Sequence, residues 1–198
     1  MSYELRAIIA DSALLRVATR EISAAGFAPL HGNLSLLPVT GDFFDAVTDG
    51  SSNRPLNFWG MPSGFDRRLA LWSSTRPVAY VEAEYFGGTG EQQAAVWNSG
   101  TLTLGPLHLP EGSALPAGGG PISQALRYLG VRRAGAYDEF EAAGLDILVL
   151  SSLTCTDLHN SSGGRLTLPC CSLGWAERCR PGRGFSLACC RVQPPVRA

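Results

Sequence analysis

Three glycines in four positions give the run Tyr85-Phe86-Gly87-Gly88-Thr89-Gly90-Glu91-Gln92 the backbone freedom to aim successive N–H groups at one anion. The run lacks the Lys-Ser/Thr ending of a P-loop, and a turn between two antiparallel strands asks for the same glycines. Just before it, Glu82 and Glu84 alternate on a strand and lie about 7 Å apart along one face, near the separation of acid and base in an inverting glycosidase. An alternating acidic strand is also a partner-facing surface that suits a basic ligand or protein. Nucleophilic catalysis needs a base beside the nucleophile. The first 154 residues offer only His31, in a turn, and His108, in the stretch Leu107-His108-Leu109-Pro110, with no Gly-x-Ser-x-Gly elbow. Asp42, Asp45 and Asp49 lack the alternate oxygen ligands of a calcium loop, and helix capping explains them.

The elements that would position these residues are legible in outline. Glu4 to Ala10 reads as a strand, and Asp11 or Ser12 then caps a helix expected to run to Ala25, with Gly26 as its left-handed end. Phe27 to Val39 reads as a hairpin broken at His31-Gly32-Asn33, followed by a short helix over Asp42 to Val47 and a loop over Asp49 to Pro55. A second helix is expected from Ser63 to Ser74, with Phe65, Leu69 and Trp72 on its apolar face and Arg67 and Arg68 toward water. Pro77 to Phe86 is the clearest strand: Ala79, Val81, Ala83 and Tyr85 point one way, and Val78, Tyr80, Glu82, Glu84 and Phe86 the other. Gln93 to Trp97 and Thr101 to Leu104, joined at Asn98-Ser99-Gly100, complete a three-stranded meander. After a loop from Pro106 to Gly120 come a helix opened by Pro121 and closed by Gly130, and a short helix from Tyr137 to Ala143. The expected class is α+β, a mostly antiparallel sheet with helices packed on one face.

Composition bounds the function. The 198 residues suit one domain plus an appendage, and 17% charged against 45% apolar residues supply a core without general disorder. A net charge of −1 argues against a general electrostatic grip on nucleic acid or anionic lipid, and no apolar run is long enough to span a bilayer. With no secretion signal at the front end, the expected location is the cytoplasm.

All six cysteines, Cys155, Cys170, Cys171, Cys179, Cys189 and Cys190, follow Thr154. Up to Asp146 there are 10 arginines against 15 acids, a net of −5; from Ile147 on, 6 arginines against 2 acids give +4. Residues 1–146 therefore read as one α+β domain and 147–198 as a Cys-, Arg- and Pro-rich appendage, poorly ordered or translated from a shifted frame. A reducing cytoplasm disfavours three disulfides, and the adjacent pairs Cys170-Cys171 and Cys189-Cys190, without any Cys-x-x-Cys, fit poorly with a zinc site completed by His159. No cofactor is implied.

The stretch Tyr80 to Gln92 resembles a family of small uncharacterised bacterial proteins, common in actinobacteria, with a Tyr-Phe-Gly-Gly-x-Gly-x-Gln signature. The helix Pro121 to Val131 and the close Asp138-Glu139-Phe140 are similar to that family's as well, over about residues 3–146, and Ile147-Leu148-Val149-Leu150 departs from it. The resemblance implies no enzymatic activity. The expected function is a protein-interaction module, and analogy with small acidic immunity proteins extends this to an immunity-type inhibitor of a basic, toxin-like protein. Its expected contact surface is Tyr80, Glu82, Glu84, Phe86, Gly87, Gly88, Gly90, Glu91 and Gln92. The alternatives are a small-molecule or nucleotide-binding enzyme with the glycine run as anion cradle, and a tail-dependent zinc module.

Overall fold

The computed structural model describes residues 3–87 and 89–148. Six strands, β1 (Tyr3–Asp11), β2 (Ala28–Pro29), β3 (Leu34–Pro38), β4 (Val78–Phe86), β5 (Thr89–Asn98) and β6 (Thr101–Leu109), form one sheet in the order β2-β3-β1-β4-β5-β6. Every neighbouring pair is antiparallel, and β4-β5-β6 is the expected meander. Five helices join them: α1 (Ser12–Ala18), α2 (Gly41–Val47), α3 (Phe65–Trp72), α4 (Pro121–Tyr128) and α5 (Glu139–Ala142). The fold is α+β.

The helices cover both faces of the sheet, not one. On one face Ala7 and Ile9 of β1 and Ala79, Val81 and Ala83 of β4 pack against Ile122, Ala125 and Leu126 of α4. On the other, Ile8, Ala10, Val78 and Tyr80 pack against Leu15 of α1, Phe43 and Val47 of α2, and Phe65 and Leu69 of α3. The continuous apolar run Ala7-Ile8-Ile9-Ala10, buried throughout, is the sequence mark of a strand covered on both sides. Phe65 stands edge-on to both Phe43 and Trp72, with ring centres 5.8 and 5.5 Å away, so one aromatic joins α2 to α3.

Local chemistry accounts for where elements begin and stop. The Asp11 carboxylate accepts from the N–H groups of Ala13 and Leu14 at 3.0 and 3.2 Å, which starts α1. The helix ends at Ala18 and not at Ala25. The buried Thr19 hydroxyl donates to the Leu15 carbonyl at 2.8 Å, and tight turns then carry Ile22 and Ala25 to the core without helix. Gly26 is not among the residues with positive φ, so it is not a left-handed cap. Strand β6 runs on through Gly105 and Pro106, where a loop was expected, by way of a register shift beside Ala94 and Val96. Gly105 has φ +87, and a Cβ there would lie 2.6 Å from the Ala94 carbonyl oxygen, so only glycine fits that close approach.

The described residues run two beyond the expected boundary at residue 146. A helical turn over 145–148 follows α5, and Leu148 packs against the α4 side of the core. The cysteines and His159, and with them the zinc and shifted-frame readings, lie outside the described residues.

On the α4 side, buried Glu139 receives Arg127 Nε at 2.9 Å and Arg133 Nε at 3.2 Å, both on Oε1. The Arg127 hydrogen bond, more than any other contact, holds this carboxyl below the usual range. A carboxyl depressed in the fold contributes stability above its unfolded pKa and loses it as pH falls through the folded one. The exposed Arg127 is screened by water, so Arg127→Ala should cost about 1 kcal/mol at neutral pH, and the difference from wild type should shrink below about pH 4. Thermal melts of the two proteins at neutral pH and in acid would show it.

Candidate functional site

Facing residues of paired strands point to the same side of a sheet, so register alone builds a polar zone at one end of the α1–α3 face. Arg6 faces Glu82, Glu82 faces Gln93 and Gln93 faces His108, an inner row across β1, β4, β5 and β6. One step further out Glu4 faces Glu84 and Glu84 faces Glu91. Phe86 ends the same face of β4.

The middle of the inner row, Glu82 and Gln93, is sealed, while Arg6 at one end is partly exposed and His108 at the other is exposed. Glu82 is fully buried, and three donors converge on its carboxylate: the Trp59 N–H on Oε2 at 2.9 Å, and the Gly60 N–H and the Tyr80 hydroxyl on Oε1 at 2.8 and 2.9 Å. Phe58 and Met61, both buried, hold this covering segment down, with the Phe58 ring edge-on to Tyr80 at 5.0 Å. A Cβ at Gly60 would sit 2.4 Å from Arg6 Cδ and 3.1 Å from Glu82 Oε1, so any larger residue there would have to displace the Arg6 side chain. Burial pushes the Glu82 carboxyl up, against the downward pull of Tyr80, Gly60, Trp59 and Arg6. Burial, and then the charge of Glu82, push the Tyr80 phenol well up.

The outer row is open, with Glu4 and Glu84 exposed and Glu91 partly so. Carboxylates facing one another across strands repel, and the flanks relieve this. Arg6 Nη2 pairs with Glu4, and His108 Nε2 lies 3.3 Å from Glu91. The carboxylate of Glu84, in the middle, has no hydrogen bond or ion pair among the described residues. Phe86 beside it is 79% exposed.

The structure thus divides the contact surface expected from sequence. Glu84, Phe86, Gly87 and Glu91 are together at the open end. Tyr80 and Glu82 are interior, so neither belongs to a surface; alternation showed their shared face but not that a distant segment covers it. With both carboxylate oxygens occupied and no exposure, Glu82 cannot act with Glu84 as a glycosidase pair. Gly90 is no part of a loop: it faces Tyr85 in the β4-β5 ladder, Phe86 faces Thr89, and Gly87 turns between them at φ +61; Gly88 lies outside the described residues. The anion cradle therefore loses one of its three glycines to the sheet. Gln92 points to the opposite face, where its Nε2 donates to the Tyr85 hydroxyl at 2.8 Å and its Oε1 accepts from the Ile122 N–H at 3.5 Å, tying the start of α4 to the sheet.

Glu4, Arg6, Trp59 and Gly60 escaped the sequence reading. Glu4 and Arg6 alternate with Ile8 and Ala10 on a strand that was expected, so their face was readable, but its register against β4 was not. Trp59 and Gly60 carry no local signal.

The remaining candidates have structural work. His31 Nδ1 lies 3.0 Å from the Ala142 carbonyl oxygen and fastens the β2-β3 turn to α5; His108 is on β6, not in a loop. Hydrogen bonds from Ser63 and Ser51 hold the Asp49 carboxyl down at about 2, within the loop before α3. Among the described residues no group of three or more His, Cys, Asp or Glu is placed to hold a metal ion, and no helix is long and apolar enough to cross a membrane.

The chain matches no protein-family model, no curated protein and no solved structure. The fold therefore brings no relative's activity with it.

Proposed function

We propose that this protein is a cytoplasmic protein-interaction module, of the kind that inhibits a toxin by covering it, and that it takes a basic partner on Glu4, Glu84, Glu91 and Phe86. The observation that carries this reading is Glu84: an exposed carboxylate, unpaired, between two others, beside an exposed aromatic ring. Aromatic anchors supply most of the energy of such contacts, and a row of one sign of charge supplies steering and selection. The fold of residues 3–148 contains no cysteine, as suits a reducing compartment.

Immobilised wild-type protein should retain a basic protein from a lysate of its own cells and release it as salt rises from ~50 to ~300 mM. Glu84→Lys should weaken that binding about tenfold or more, and Phe86→Ala by a similar factor. A partner that binds both variants as tightly as wild type would move the contact surface elsewhere on the protein.

A further inference from the structure

The open acidic row is flanked by two side chains that can offset its charge, and they differ in kind. At the β1 flank Arg6 Nη2 pairs with Glu4, and a guanidinium keeps its charge throughout the physiological range. At the β6 flank stands His108, its Nε2 3.3 Å from Glu91 Oε2. Histidine is the side chain whose charge ordinarily changes between pH 8 and pH 5. One flank is fixed and the other responds to protons.

Register explains the pair. His108 faces Gln93, which makes Glu91 its diagonal neighbour two residues along β5, within reach of a long side chain. Both side chains meet water, at 46% and 36% exposure, so a proton can come and go without any movement of the backbone. Few charged groups surround them. Beyond neutral Gln93 and Glu91 on β5 stand Glu84 and Glu82 on β4, the latter with its carboxylate filled by three donors, and then Glu4 and Arg6 on β1. Along β6 no other residue is ionisable, and in the stretch from Pro110 to Gly120 only Glu111 is, which accepts from the Thr89 hydroxyl at 2.6 Å. Among the described residues β6 is the edge of the sheet. Helix α4 also touches it, but on the opposite face, and its one charged residue, Arg127, pairs with Glu139.

We propose that His108 is a pH switch for the acidic contact surface. Uncharged, it leaves both Glu84 and Glu91 to a basic partner. Protonated in mild acid, it holds Glu91 in an ion pair and adds a positive charge to the row, and the partner is held less tightly. The balance is one proton from solvent on the imidazole ring and no other covalent change. Glu4, Glu84 and Glu91 less Arg6 give the surface a charge of −2, which the imidazolium reduces to −1. Unit charges about 8 Å apart beside water interact weakly, so the expected change is about threefold in affinity and not complete release. His31, the other histidine among the described residues, is fastened to Ala142 beside the β2-β3 edge, across the sheet from β6, and does not supply the effect. The switch rests on the basic-partner surface proposed above and sets when that surface binds.

The test uses a hexa-arginine peptide, acetylated and amidated at its ends so that nothing on it titrates in this range, with the full chain at low salt. Its Kd for the wild type should rise about threefold between about pH 7.5 and about pH 5.5. In His108→Gln the pH dependence should vanish. In His108→Arg, a permanently charged stand-in, it should vanish as well, with binding at the higher pH already about threefold weaker. Wild-type affinity that ignores pH, or a His108→Gln protein that weakens in acid as much as the wild type, would overturn the switch and leave the surface standing. A peptide that does not bind, or that binds Glu84→Lys as tightly as the wild type, would overturn the surface and the switch with it.

Discussion

Glu82→Lys should leave the protein largely unfolded, while Glu84→Lys, two residues along the same strand face, should fold as wild type does. At position 82 an ammonium group would bring three more donors to a sealed site where the Trp59 N–H, the Gly60 N–H and the Tyr80 hydroxyl already lack any other acceptor, with the Arg6 guanidinium alongside. Leaving buried charge uncompensated costs about 3–5 kcal/mol, and the orphaned donors add to it. That is comparable with the whole stability of an ordinary domain, about 5–15 kcal/mol. At position 84 the side chain is exposed and unpaired, and a lysine would sit between Glu4 and Glu91, so the change should stay within about 0.5 kcal/mol or stabilise slightly. Urea unfolding of the two variants, followed by circular dichroism, separates them. Equal behaviour of the two would mean that Glu82 is not sealed. The contrast also validates the binding test, because a folded Glu84→Lys protein reports on contact alone.

The second large effect is expected at Gly90. An alanine Cβ there would lie 2.2 Å from the Glu84 carbonyl oxygen and 2.6 Å from Tyr85 Cγ. Neither neighbour can give way cheaply. The carbonyl belongs to the ladder, and the Tyr85 ring is stacked on Tyr3 at 5.0 Å with its hydroxyl held by Gln92. Gly90→Ala should therefore cost about 2–3 kcal/mol and lower Tm by several degrees, through a displaced hairpin end and a lost link to α4. Gly41→Ala, at the first position of α2 with nothing within 4 Å, serves as the control and should be neutral or stabilising by up to about 1 kcal/mol. If the glycine run served an anion and not the hairpin, Gly90→Ala would impair ligand binding and leave Tm unchanged.

The pattern of residues made most elements legible and left their partners hidden. The cap at Asp11, the hairpin turn at Gly32-Asn33 and the alternation of β4 are local, and each needs only neighbouring residues to be seen. The end of α1 depends on a buried Thr19 hydroxyl, which no apolar spacing reveals. The second helical layer was missed because the run Ala7-Ile8-Ile9-Ala10 signals burial on both sides without saying what does the burying. At the candidate site, alternation put Glu82 and Glu84 on one face, but their opposite fates follow from Trp59 and Gly60, more than twenty residues earlier in the chain. A glutamate sealed by backbone N–H groups and one free in water look alike in a sequence.

The place of β1 bears on how the chain comes off the ribosome. This first strand is central, with β3 on one side and β4 on the other, and Ala7 is paired to both Pro38 and Val81. A nascent chain can close β1 against β3 early, but the second edge of its most apolar strand stays open until β4 has emerged. For that interval Ala7-Ile8-Ile9-Ala10 is an uncapped template for another chain, which is the hazard of any exposed apolar strand. Ribosome-bound chains stalled between β3 and β4 should recruit chaperones or aggregate, and chains stalled once β4 has cleared the exit tunnel should do neither.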